Sequence, residues 1–195
     1  MKSHPASLTT PITETRVREL RAGDAVAING TVFTARDRFH QYAAAGGSCP
    51  VDLRNTVLYH CGPVITGHAG RRQCIAAGPT TSIREEPYMH TLIARFGIRV
   101  ILGKGGMGSK TLKACARYGC VYIQVTGGAA QFLRRRIQSV ETVHFLEKFG
   151  PAEALWQLRV ENLPGIVTMD AHGHDLYADI RDASRKRLEA LWEED

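Results

Sequence analysis

The sequence predicts a single α/β domain, and three observations carry that prediction. Short apolar runs recur along the chain, among them TVLYH (56–60), IRVIL (98–102) and CVYIQV (120–125), each the length of a buried strand. Between two of them lie YMHTLIARF (88–96) and SKTLKACARY (109–118), with apolar residues at helical spacing and Gly97 and Gly119 at their ends. Glycine-containing loops follow the apolar runs directly: Gly78-Pro79-Thr80-Thr81 after CIAA, Gly103-Lys104-Gly105-Gly106 within and after VILG, and Thr126-Gly127-Gly128-Ala129-Ala130 after CVYIQV. Such alternation is the pattern of an α/β sheet, and 195 residues leave room for one domain with a real core.

Taken in order, residues 1–10 read as a disordered N-terminal arm, and 11–195 as the domain, closed by a C-terminal helix. TETRVREL is a short helix with Thr13 as N-cap and Gly23 just past its end. AVAING alternates and stops at Asn29-Gly30, which predicts a hairpin with TVFT as the returning strand. Arg36 then opens the helix ARDRFHQYAAA, which Gly46-Gly47 closes. After TVLYH and Cys61-Gly62-Pro63 comes a polar connection holding His68, Arg71 and Arg72, then CIAA. Ser82 and Glu85 have the spacing of a capping box, so a helix is expected to start near Ser82 or Ile83; Ser109 is expected to cap the next one. VETVHFL, a helical patch PAEALWQ, the strand LRVENL and GIVTMD complete the alternation. The tail from Asp179 to Asp195 reads as a charged helix whose Leu188, Leu191 and Trp192 form a narrow apolar stripe, suited to the domain or a partner.

Composition excludes several classes. With 44% hydrophobic and 23% charged residues the chain falls among soluble globular proteins, and no apolar run approaches the ~20 residues of a membrane helix. MKSHPASLTTP has no apolar core of a secretory signal, which favours the cytoplasm. Five cysteines (Cys49, Cys61, Cys74, Cys115, Cys120), none spaced C-x-x-C, suggest neither a disulfide framework nor a self-contained metal or iron–sulfur site; Cys74 and Cys115 are expected in the core. His172-Gly173-His174-Asp175 lacks further ligands nearby, so no metal site is expected. The net charge of +6 is scattered. Arg134-Arg135-Arg136 reads as a solvated helix face, so nucleic acid is suggested by charge alone, and a small anion explains a basic pocket equally well.

The stretch from Ala76 to Lys110 holds the candidate site. Thr80, Thr81 and Arg84 cluster at an expected helix N-terminus, where N–H groups, the helix dipole and a guanidinium would converge on a carboxylate or phosphate. Gly78 opens that loop. Lys104 precedes Gly105-Gly106, where a backbone can approach a ligand closely, and Arg36 stands at another strand-to-helix junction. Ligands of α/β sheets bind beyond the carboxyl ends of strands. GKGGMGSK is not a Walker A loop, and GKGG lacks the dinucleotide spacing. A plainer reading stays open: both loops as turns with solvated charges, and Arg36 paired with Asp37 or a neighbouring carboxylate.

The ordered set Thr34-Ala35-Arg36-Asp37 with His40, Gly62-Pro63, Gly78-Pro79-Thr80-Thr81 with Arg84, and Gly103-Lys104-Gly105 resembles the β subunit of iron–sulfur hydro-lyases, the class I fumarases and L(+)-tartrate dehydratases. The resemblance covers about Thr10 to Tyr177. It implies a swivelling β/β/α-type domain with an incomplete active site. The [4Fe–4S] cluster and its three cysteines would belong to a partner α subunit, in a hetero-oligomer (αβ)n, and this chain would bind no cofactor alone. It further implies Arg36, Arg84 and Lys104 as a carboxylate clamp, Thr80 and Lys104 as catalytic residues with Thr80 moving a proton, and Thr81 and Gly78 contacting substrate. Glu85-Glu86 stand where the family commonly has Met-Asp, and His60-Cys61 where tyrosines are usual. The alternative from another class is a non-catalytic module that binds a dicarboxylate or phosphate.

Overall fold

The computed structural model describes residues 4–68 and 70–193. Its centre is a ring of strands. β2 (Ala25–Ala35), β3 (Val57–His60), β6 (Val100–Gly103) and β7 (Val121–Gln124) run parallel in that order. β9 (Leu155–Met169) runs antiparallel to both β7 and β2 and so closes the ring. β1 (Ala6–Thr9) lies parallel to the first half of β2, and β8 (Ile137–His144) antiparallel to the first half of β9. β4 (Val64–Thr66) and β5 (Gln73–Ala76) form a separate two-stranded hairpin.

The period of two along each strand divides the interior into two cores. Val57, Tyr59, Val100, Leu102, Val121 and Ile123 fill the ring with Val26, Ile28 and Leu158. Their neighbours Leu58, Ile101 and Tyr122 face outward, under the helical layer that contributes Phe39, Met89, Leu92, Ile93, Ala114 and Cys115. That layer is α2 (Asp37–Ala44), α3 (Glu86–Phe96) and α4 (Ser109–Tyr118). Strands buried on both faces read as unbroken apolar runs, which is why β3 and β6 are legible in the sequence. α1 (Glu14–Arg18) begins as expected, with Thr13 Oγ1 accepting from the Arg16 N–H.

Several expectations are corrected. Ala6–Thr9 is a strand rather than part of a disordered arm, while residues 1–3 lie outside the described residues. Asn29-Gly30 makes no hairpin: β2 runs straight through, with a register shift against β9 between Ile28 and Gly30 and Gly30 at φ +93°. A bulge uses the same left-handed glycine as a tight turn. PAEALWQ is not helical. A short helix, α6 (Leu146–Phe149), precedes it, and from Leu155 the chain enters β9, where alternate side chains feed the two cores. LRVENL and GIVTM belong to that one strand, and Asp170 follows its end. α7 (Leu176–Glu193) is the expected charged helix, and Leu188, Leu191 and Trp192 are exposed on it rather than packed on the domain. No helix among the described residues is long and apolar enough to cross a membrane.

Candidate active site

Because β2, β3, β6 and β7 are parallel, their carboxyl ends lie along one edge of the ring, the edge where α/β sheets bind ligands. Arg36 follows β2 directly, in extended conformation as the N-cap of α2. Lys104 follows β6 directly. Residues 79–82 are inserted between the ends of β3 and β6 like a short extra strand. Thr80 N–H donates to the His60 carbonyl at 2.7 Å, Lys104 N–H to the Thr80 carbonyl at 3.3 Å, and Ser82 N–H to the Lys104 carbonyl at 2.9 Å. Thr80, Thr81 and Lys104 are thereby held side by side.

The two arginines converge on one shared carboxylate, Asp37. Arg84 Nη2 lies 3.0 Å from Asp37 Oδ2, and Arg36 Nη2 lies 3.8 Å from the same oxygen and 3.4 Å from Glu153 Oε1. Glu153 also accepts from the Arg38 N–H at 3.0 Å at the start of α2. The plainer reading of Arg36, pairing with Asp37 or a neighbouring carboxylate, therefore holds alongside the clustering. Arg36 Nε is buried without a hydrogen-bond partner among the described residues, and so is Thr80 Oγ1. Gly62 lets the Arg36 side chain pass: a Cβ there would stand 2.9 Å from Arg36 Nη1 and 2.7 Å from the Ala152 carbonyl oxygen.

Beneath Arg36 and Arg84 sits a buried polar cluster. His60 Nδ1 lies 2.9 Å from Ser82 Oγ, which also accepts from the Tyr122 hydroxyl at 3.0 Å. Gly103 is obligatory beside it, since a Cβ would fall 1.8 Å from Ser82 Oγ. The His40 and His60 rings meet edge to face at 4.9 Å, and His40 Nδ1 lies 3.5 Å from Glu85 Oε2. Burial dominates here. It lowers His40 to about 4, holds His60 well below the usual imidazole range, and pushes the Glu85 carboxyl up to about 8.

The structure revises the local reasoning about this loop. CIAA leads from the small hairpin, not from a strand of the ring. Ser82–Glu85 is a 3₁₀ turn before α3, and no capping box forms: Ser82 Oγ is spent on His60 and Tyr122, and Glu85 is buried. With the Ser82 N–H already bonded to the Lys104 carbonyl, an anion at Thr80 and Thr81 would be held by side chains rather than by a helix dipole. Nor does Ser109 cap α4. Glu86 does so from α3, accepting from the N–H groups of Gly108, Lys110 and Thr111 at 2.8, 2.9 and 3.2 Å and from the Thr111 hydroxyl at 2.6 Å. Gly78 packs on α5 (Ala130–Arg134), where a Cβ would stand 3.0 Å from that of Ala130; its smallness has a packing reason. Glu153 has no local sequence mark, being more than a hundred residues from Arg36. Gln124, whose Oε1 accepts from the Gly105 N–H at 3.1 Å, is equally silent. Glu85 and His60 were visible only as unusual residues.

Among the described residues no group of three His, Cys, Asp or Glu could hold a metal ion. His174 bonds to Asp170, and His172 to the Arg18 carbonyl. Cys61, Cys115 and Cys120 are buried and Cys49 and Cys74 half-buried, and among the described residues none of them belongs to such a group. Residues 2–180 match the family described as Fumarase C-terminus. The chain belongs to that family. Within it, the chain is 49% identical over 183 residues to a Geobacillus stearothermophilus protein named "Putative fumarate hydratase class I", covering 93% of this chain and 35% of that one. It is 32% identical over 189 residues to the L(+)-tartrate dehydratase subunit beta of Escherichia coli K12, covering 96% of this chain and 94% of that subunit. This member of the Fumarase C-terminus family thus spans about a third of the first relative and nearly all of the second.

Proposed function

We propose that this chain is the β subunit of a two-subunit hydro-lyase that dehydrates a 2-hydroxy dicarboxylate, converting L-tartrate to oxaloacetate or interconverting malate and fumarate. The observation that carries the reading is the gathering of Arg36, Thr80, Thr81, Arg84 and Lys104 at the carboxyl ends of β2, β3 and β6. The names of the relatives, a tartrate dehydratase β subunit and a fumarate hydratase, support it. In the same reading the fold is the swivelling β/β/α-type domain, the enzyme is cytoplasmic and hetero-oligomeric, and a [4Fe–4S] cluster on the α subunit supplies the Lewis acid for the leaving hydroxyl.

Dehydration removes a carbon-bound proton and a hydroxyl from adjacent carbons, and negative charge builds on the carboxylate next to the deprotonated carbon. Cations that hold that carboxylate in place stabilise the charge as it forms. Arg36 and Arg84 suit bidentate contacts and Lys104 a point charge. Each arginine has one Nη2 steadied by Asp37 or Glu153, which orients the fork before substrate arrives. Thr80 carries the transferred proton. An alcohol is a weak base alone, so a carboxylate of the α subunit must act on its unpartnered Oγ1.

The test is anaerobic assay of this chain co-expressed with a cluster-bearing α subunit. Water elimination from tartrate or malate, or addition to fumarate, is expected from the pair and from neither chain alone. Dicarboxylate or phosphate binding without turnover by the pair would favour a non-catalytic anion-binding module instead.

A further inference from the structure

The buried cluster beneath the clamp has no part in the chemistry described so far. Glu85 and His40 are wholly excluded from solvent. Neither Glu85 oxygen has a hydrogen-bond partner among the described residues, nor does His40 Nε2 or His60 Nε2. A carboxylate stripped of both water and donors is costly, and the group relieves the cost by taking a proton. The His40 tautomer is set by the Arg36 carbonyl, 2.8 Å from Nδ1. A carbonyl only accepts, so Nδ1 bears the hydrogen and Nε2 is a vacant acceptor.

His40, His60 and Glu85 are each also tied to a residue of the candidate site. His40 donates to the Arg36 carbonyl, the His60 carbonyl accepts from the Thr80 N–H, and Glu85 follows Arg84 in the chain. The groups that face Glu85 are Arg36, Asp37 and His40 at the start of α2, Arg84 in the 3₁₀ turn, and Glu153 before β9, with His60 at the end of β3 against His40. The two arginines favour a charged Glu85, Asp37 and Glu153 oppose it, and burial opposes it most.

We propose that Glu85 is a proton-bearing positioning residue: protonated, it leaves Arg36 and Arg84 to a dicarboxylate, and deprotonated it draws them inward, so that dicarboxylate binding is coupled to proton uptake at Glu85. The inference rests on the dicarboxylate reading of the clamp. Coupling is reciprocal. A dianion set on the two guanidiniums raises the proton affinity of Glu85, and the proton strengthens dianion binding by the same factor. The proton comes from the buffer. Since the Glu85 carboxyl is pushed up to about 8, the effect falls between neutral and mildly alkaline pH.

Succinate, an unreactive dicarboxylate, is the probe. Calorimetric titration of the assembled enzyme at about pH 8.5, in two buffers of different ionisation enthalpy, counts the protons taken up. An uptake of a substantial fraction of one proton is expected, with the apparent Kd rising about tenfold from pH 7 to pH 9 as the binding-competent fraction falls. Glu85→Gln, which cannot ionise, should abolish the uptake and flatten the profile. Should that variant fail to fold, the wild-type proton count and Kd profile decide by themselves. In the full chain, ¹³C carboxyl resonances provide a ligand-free check: one carboxyl should titrate near pH 8. Succinate binding without proton uptake, or all carboxyls titrating below pH 6, would overturn the coupling and leave the dicarboxylate reading standing. Absence of succinate binding at every pH would overturn both.

Discussion

Thr80 has its backbone fixed on both sides, by the His60 carbonyl and the Lys104 amide, while its Oγ1 is buried with no hydrogen-bond partner among the described residues. A buried hydroxyl left unpaired costs stability, and under the proposed function this is the hydroxyl that a carboxylate of the α subunit would engage. Thr80→Val keeps the shape and deletes the oxygen. In the assembled enzyme it should lower kcat on the order of 10²–10⁴-fold, with inhibitor affinity and melting temperature close to wild type. A near-normal kcat would remove Thr80 from proton transfer. Arg36 and Lys104 were legible one by one, because a charged residue directly after a short apolar run marks the carboxyl end of a strand, and Arg84 was legible from the helix start expected near Ser82. Their partners were not. Glu153 reaches Arg36 only because the turn before β9 comes back over the start of α2, and no spacing in the sequence encodes that return.

Helix starts show how a correct type of interaction can be assigned to the wrong element. Ser82 with Glu85 has the spacing of a capping box and Ser109 stands before a helical run, yet the carboxylate that caps α4 is Glu86, one helix away. Propensity and spacing describe contacts within a few residues, whereas a cap needs only an acceptor in reach of the N–H groups. Glu86→Ala should therefore destabilise the domain by about 0.5–2 kcal/mol, the range for a lost cap. The loss would appear as a lower urea midpoint with an unchanged slope. Ser109→Ala should change the midpoint little. Equal losses in the two variants would contradict the tertiary cap. Asn29-Gly30 makes the same point for strands: the dipeptide sets a left-handed glycine but not whether the chain turns back or bulges onward.

For the whole molecule, the buried cluster sets opposite pH dependences. His40 is lowered from 6.5 to about 4, so its contribution to stability is present above about pH 6.5 and is lost as the pH falls toward 4. Glu85 is raised from 4.5 to about 8, so its contribution is present below about pH 4.5 and is lost as the pH rises toward 8. Wild type should thus lose stability relative to Glu85→Gln across that second window, with a constant gap on either side; urea titrations at a series of pH values measure it, and a gap independent of pH would contradict a buried neutral Glu85. The sequence by itself determined the α/β class, the doubly buried strands β3 and β6, the helices α3 and α4, and the positions of Arg36, Arg84 and Lys104. All of these follow from local periodicity and from residue types at strand and helix ends. Only the tertiary structure decided that the sheet closes through β9, that residues 79–82 lie between β3 and β6, and that Asp37, Glu153, His40, His60 and Glu85 surround the clamp. Those arrangements depend on contacts between residues far apart in the chain, where the packing of two cores, rather than any local preference, sets which side chains meet.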